Sequence, residues 1–202
     1  MEKQDLQLPV RSEAPMAEGF LARLRRLAAD RRGVGAVEFA LIAPLLLSLY
    51  ITSFELTIGL SVSKRVTRSA SAIADLVTQQ TSVDKAFLAT TTDVTNSLFF
   101  PYAADDLSIK ITGVALDASG NPTVAWSWNG SNTPPYAAGS PVNVPAEMRA
   151  PNSFLIRSEV SVSHELLMFM SGAMPTNLQN ITIAREYFYR QRLGSSITCT
   201  NC

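Results

Sequence analysis

From Phe39 to Val62 the chain carries one strongly ionisable side chain, Glu55, among residues that are otherwise apolar, small or hydroxylated. As an α-helix this run rises roughly 36 Å at 1.5 Å per residue, against a bilayer hydrocarbon core of about 30 Å. A tilted span absorbs the difference. The run is apolar all round rather than along one stripe, which suits lipid better than a soluble core. One membrane-spanning helix is the expectation, and the rest of the chain must be organised around it.

Charge at the two ends of the run sets a direction. Arg23, Arg25, Arg26, Arg31 and Arg32 precede it, against Lys64, Arg65 and Arg68 after it. Lys and Arg gather on the cytoplasmic side of membrane helices. The expected topology is a cytoplasmic N-terminus with the remainder of the chain outside. The run is too long for a secretory signal peptide and lacks a small-residue cleavage site at its far end. The 202 residues, with a formal net charge of zero, leave room for one anchor and one modest domain. The charge balance gives no sign of nucleic-acid binding.

The segment Arg-Arg-Gly-Val-Gly-Ala-Val-Glu-Phe-Ala-Leu-Ile-Ala-Pro-Leu-Leu-Leu at residues 31–47 resembles the processing site of type IV-like prepilins. Gly33 follows basic residues, Glu38 stands five positions on, and Phe39 comes next. The wording is most similar to the TadE-like family, minor pseudopilins of the tight adherence (Tad) pilus, over about 30 residues. The resemblance implies cutting by a prepilin peptidase after Gly33, with Val34 opening the mature chain. Phe39 stands where the small major pilins commonly have tyrosine. Gly35 offers a second cut, but Glu38 would then be the third mature residue, so Gly33 is preferred. By the same resemblance Glu38 meets the freed α-amino group of a neighbouring subunit. The simpler account of Glu38 is an acid favoured at a helix N-terminus by the dipole.

Residues 1–15 are polar, with Pro9 and Pro15, and read as disordered. Residues 16–32 can form a short basic amphipathic helix, better explained as an orienting leader than as a lipid sensor. After the span, Val66, Ala70, Ile73 and Val77 recur at helical spacing, extending the helix to about Val77. Thr81 and Asp84 fit a capping box for a second helix that buries Val83, Phe87, Val94 and Leu98 and stops before Pro101. From Leu107 the period changes to two: Leu107, Ile109 and Ile111 alternate with Ser108, Lys110 and Thr112. The turn cluster Asp117 to Pro122 leads to a partner strand over Thr123 to Trp128. Residues 129–152 read as a long loop, Phe154 to His164 as a strand, 165–177 as a short helix or loop, and Ile181 to Arg192 as the last strand. The fold class is α+β: a long N-terminal membrane helix extending into a second helix, then an antiparallel sheet of about four strands, pilin-like in layout. The boundaries are a leader at 1–33, a transmembrane helix at 34–63 and a periplasmic domain at 64–202.

Chemistry for catalysis is sparse. His164 is the one histidine, and a lone histidine near a strand end is usually structural or solvated. No His, Cys and carboxylate cluster has metal-ligand spacing, and no Gly-rich strand-to-helix turn cradles a phosphate. Neither cofactor nor metal is expected, and the chain does not read as an enzyme. Cys199 and Cys202 form Cys-Thr-Asn-Cys at the C-terminus. A thioredoxin-like pair needs a helix N-terminus to depress its thiol pKa, and only the chain end follows here. The preferred reading is a short-loop structural disulfide formed outside the cytoplasm. Glu55 can sit protonated, snorkel outward or contact another helix, and the sequence leaves these open. Pro44 inside the span can kink the helix or free backbone carbonyls, which membrane helices tolerate.

The function these features point to is a minor pseudopilin-like structural subunit needed for assembly of a Tad-type pilus, packing through its N-terminal helix. Its expected partners are the inner membrane, a prepilin peptidase, other pilin or pseudopilin subunits and the Tad assembly machinery. Two alternatives remain: a membrane-anchored periplasmic thiol oxidoreductase using Cys199 and Cys202, and an uncleaved single-pass adhesin.

Overall fold

The computed structural model describes residues 25–26, 33–102, 106–131, 133–165 and 180–202. The expectations for residues 1–15, for most of 16–32 and for 166–177 lie outside the described residues. The chain divides between Leu49 and Tyr50 into two compact units.

Helix α1 runs from Val34 to Thr78, 45 residues with Pro44 inside it. At 1.5 Å per residue its length is about 68 Å, twice what a bilayer core needs. Its most apolar 18-residue window has a mean hydropathy of 2.1 and is 0% buried. The hydroxyls along this part are not left to lipid. Ser48, Thr57 and Ser61 donate to the carbonyls of Leu45, Ser53 and Thr57 at 2.8 to 2.9 Å, which satisfies them inside the helix. Further along, Val62, Val66, Ala70, Ile73, Ala74 and Val77 are buried. Their three-and-four spacing makes one stripe. The continuation of the helix to about Val77 is therefore observed.

Strand β1, Ser82–Val83, links α1 to α2, Lys85–Phe99. Here the structure corrects the expected cap. The N-cap is Asp84, whose Oδ1 accepts the Phe87 N–H at 2.7 Å, and Thr81 lies outside the helix. The buried face is also rotated: it consists of Leu88, Thr91, Thr95 and Phe99, with Phe87, Val94 and Leu98 at its margin. Thr91 and Thr95 can be buried because their hydroxyls bond back to the carbonyls of Leu88 and Thr91 at 2.6 and 2.8 Å. A search for apolar residues alone passes over them. The far end of α2 is held by Arg65 of α1, whose guanidinium donates at 2.7 Å to the carbonyls of both Leu98 and Phe100.

The sheet contains β2 (Ser108–Leu116), β3 (Pro122–Trp128), β4 (Phe154–Glu165) and β5 (Asn180–Arg190). Their order is β3-β2-β4-β5, and every pairing is antiparallel. This is the expected α+β layout of two helices followed by four strands. One sheet face presents Ile109, Ile111, Trp126, Trp128, Phe154, Ile156, Val160 and Val162 to a core shared with the α1 stripe, Leu88 and Phe99. On the opposite face Val114, Leu116 and Leu155 are covered by Val144, with Val142 and Met148 beside them. The long loop thus caps the second face, aided by a 3-10 turn at Ala146–Met148.

The tail forms β6, Thr198–Cys199, which pairs in parallel with β1. Two-residue strands carry no periodicity, so neither β1 nor β6 is visible in the sequence. Around them Arg192 N–H donates to the Thr78 carbonyl at 3.0 Å, and Thr200 N–H to the Val83 carbonyl at 3.0 Å. Arg192 also forms an ion pair with Asp75.

Candidate processing and packing segment

Gly33 stands at the entry to α1, and Val34 is its first helical residue. A Cβ placed on Gly33 or Gly35 meets nothing within 4 Å, so among the described residues no side chain covers the backbone there. Val34 and Glu38 are four residues apart and share a helix face. Glu38 and Phe39 are both exposed, Phe39 at 68%. A large aromatic side chain and a carboxylate thus stand open side by side on the first turns of the helix. Pro44 removes one backbone N–H, leaving the carbonyl four residues earlier, at Ala40, without its helical partner. The helix continues through it unbroken. Phe39, Ala40, Ala43, Pro44, Leu46 and Leu47 line a shallow apolar notch at this point.

Glu55 is 6% exposed, and its Oε1 lies 3.5 Å from His164 Nε2 on β4. Within this chain Glu55 faces the sheet rather than snorkelling outward. The distance is long for a hydrogen bond, and among the described residues neither Glu55 oxygen nor His164 Nε2 has a hydrogen-bond partner. The contact becomes an ion pair when the imidazole carries a proton. Sequence reasoning treated the two residues separately, although each was conspicuous. A carboxylate inside an apolar stretch requires a partner, and the chain's single histidine was available.

Cys199 and Cys202 are joined by a disulfide with a Cα–Cα distance of 5.6 Å, and both pack partly against the core. The premise that no helix reaches this loop is corrected. The Lys85 N–H, in the first turn of α2, donates to Asn201 Oδ1 at 2.8 Å. The helix end lies against the Cys-Thr-Asn-Cys loop, though Asn201 and Asp84 take up two of its free N–H groups.

The sheet face away from α1 carries a polar cluster. Glu159 and Glu186 are directly opposite on β4 and β5, a repulsive arrangement. Arg157 bridges them, at 3.0 Å to Glu159 and 2.8 Å to Glu186. The Tyr136 hydroxyl donates to Glu159 at 3.0 Å. Burial, followed by that bond and the Glu159 charge, pushes the Tyr136 phenol above its usual range. Among the described residues no group of three or more His, Cys, Asp and Glu is placed to hold a metal ion.

No curated protein matches the chain, and no solved structure matches it. A family model does: residues 33–75 match the family described as TadE-like protein. The match opens at Gly33, takes in Glu38, Phe39 and Pro44, and ends within the buried stripe of α1. The long helix that enters at Gly33 thus carries the part of the chain, residues 33–75, that is similar to TadE-like proteins.

Proposed function

We propose that this protein is a minor pseudopilin of a Tad-type pilus, cut by a prepilin peptidase between Gly33 and Val34. Residues 1–33 are the cytoplasmic leader, 34–63 the span in the inner membrane, and 64–202 the periplasmic domain. After cutting, the α1 helix packs laterally against the helices of neighbouring pilin or pseudopilin subunits. The observation that carries this reading is the stretch of α1 from Val34 to Tyr50, largely apolar and exposed on nearly every side, while the stretch from Val62 to Val77 is built into the core of a sheet domain. A helix so divided has one half free for lipid and other subunits.

Two measurements test it. A peptidase needs a bare backbone before the cut, so Gly33→Leu should leave the leader attached, seen as a heavier N-terminal fragment by mass spectrometry. Normal cutting in that variant rejects Gly33 as the site, and an intact leader on the wild-type protein in membranes favours the adhesin reading. For topology, a periplasm-active reporter fused after Cys202 should be active and a cytoplasm-only reporter silent. The reverse pattern removes the pilin reading altogether.

The thiol oxidoreductase reading gains one contact, the α2 end against the cysteine loop. A dithiol substrate discriminates: exchange with the native protein would support that reading, whereas a structural clasp stays inert.

A further inference from the structure

The apolar surface of α1 does not end on α1. Leu56 and Leu60 are 63% and 56% exposed, and with Thr52 and Gly59 they form one wall of a groove. Ile181 and Ile183 of β5 form the other wall, with Glu55 and His164 between them. Ile181 is itself 49% exposed. The β4–β5 end of the sheet therefore shares one apolar surface with Leu56 and Leu60 of α1.

Depth along the helix decides what covers this surface. Val34 to Leu49 supplies only about 24 Å of rise, short of the roughly 30 Å that hydrocarbon spans. The span must run beyond Leu49, and the next basic side chain is Lys64. Glu55 lies about 10 Å before Val62 along the axis, and Leu56 and Leu60 lie between them. Strand residues beside these positions share their depth.

We propose that the β4–β5 end of the sheet, at Ile181 and Ile183, rests among the acyl chains of the adjacent leaflet. The protein then holds the bilayer by its sheet as well as by its helix. This explains why an acid is tolerated so far inside an apolar run: Glu55 is screened from lipid by the sheet end, and His164 faces it. The occupant is lipid because Leu56 and Leu60 belong to the apolar run that ends before Lys64, which puts the groove they line at hydrocarbon depth. The inference rests on the membrane-anchored reading, and the test separates the two.

The native cysteines are tied in a disulfide, so a maleimide nitroxide can report single added thiols in the full chain. Ile181→Cys, Leu46→Cys in the span and Ser119→Cys in the β2–β3 turn are reconstituted into phosphatidylethanolamine–phosphatidylglycerol vesicles. Relaxation by oxygen, which concentrates in lipid, is compared with relaxation by a water-soluble nickel chelate. At Ile181 the oxygen-to-nickel ratio should be several-fold above that at Ser119 and close to that at Leu46. A ratio at Ile181 equal to that at Ser119, with Leu46 still lipid-like, overturns the inference and leaves the anchor standing. Shielding of Ile181 from both reagents means a second protein covers the groove, which also overturns it. Nickel access at Leu46 removes the membrane reading and this inference together.

Discussion

The indole Nε1–H of Trp126, on β3, donates to the main-chain carbonyl of Ile197 at 2.7 Å, across 71 positions of sequence. Both residues are buried, so this bond fixes the tail over the sheet next to β6. Replacing Trp126 with Phe keeps an aromatic ring but strands a buried carbonyl, at a cost of about 1–3 kcal/mol. Chemical denaturation should show that loss. Amide exchange should speed up at Thr198 and Thr200 well before it does in β2 and β4. Unchanged exchange in the tail would mean that β6 is held by something other than this bond.

Gly113 lies opposite Trp126 in the β2–β3 register. A Cβ there would stand 2.5 Å from Trp126 Nε1 and 2.8 Å from Phe154 Cζ. Glycine is required by the approach of two rings, one of which is pinned by Ile197. Gly113→Ala should destabilise by about 1–3 kcal/mol, the usual cost of overpacking. Because Trp126→Phe frees the indole edge, the double variant should lose less than the sum of the two. Strict additivity in a denaturation cycle would reject the clash as the cause.

Tyr136 gives a pH signature. Its phenol is raised by burial first, then by its bond to Glu159 and the charge there, with Lys110 and Arg157 opposing. The folded state therefore binds this proton more tightly than the unfolded state does. The associated stability is fully present below the unfolded value, near pH 10, and is lost as pH rises through the higher folded value. Stability measured across that range should fall more gently in Tyr136→Phe than in the native protein. Tyrosinate absorbance should show one ring titrating late, and its disappearance in the variant assigns it.

The elements most visible in the sequence were those whose energetics repeat with a period. The lipid-facing run, the Val66 to Val77 stripe and the alternation at Ile109 and Ile111 each announced an element that the structure contains. Asp117 to Pro122 announced its turn through side-chain chemistry: the Asp117 carboxylate accepts from the Ser119 and Asn121 N–H groups at 2.8 Å. What stayed hidden depends on distant partners. Thr91 and Thr95 reach the core only because their hydroxyls are satisfied locally, and β1 exists only because β6 returns to it. Glu55 and His164 were each visible, but their pairing needed the β4 strand to arrive beside α1. The resemblance at Gly33, Glu38 and Phe39 located the segment that residues 33–75 share with TadE-like proteins.

The disulfide closes a loop with a sequence separation of 3, for which chain entropy supplies about 2 kcal/mol. Its effect should reach beyond the tail, because Cys199 pairs with Val83 and Asn201 caps α2. Replacing both cysteines with Ser should lower stability by up to that amount. Exchange should quicken at Val83, Lys85 and Thr200 while the sheet keeps its protection. Loss of protection throughout the sheet would assign the disulfide a larger role than its loop entropy allows.

Glu38 should act after cutting rather than during it. Its carboxylate is exposed on α1, one helical turn from Val34, where cutting would create a positive α-amino group. Within a bundle of packed helices, a neighbour's amino group can meet that carboxylate with little water between them. Removing one member of a well-desolvated charge pair costs about 3–5 kcal/mol, and a position near the membrane surface lowers that figure. Glu38→Ala should therefore leave the mature N-terminus at Val34 by mass spectrometry while reducing assembled pili seen by electron microscopy. Glu38→Gln keeps the shape but not the charge and should behave like the alanine variant. Glu38→Asp keeps the charge on a shorter stem and should recover part of the assembly. Full assembly in Glu38→Gln would show that the charge is dispensable, and failure to cut in Glu38→Ala would move the residue's role to the peptidase step.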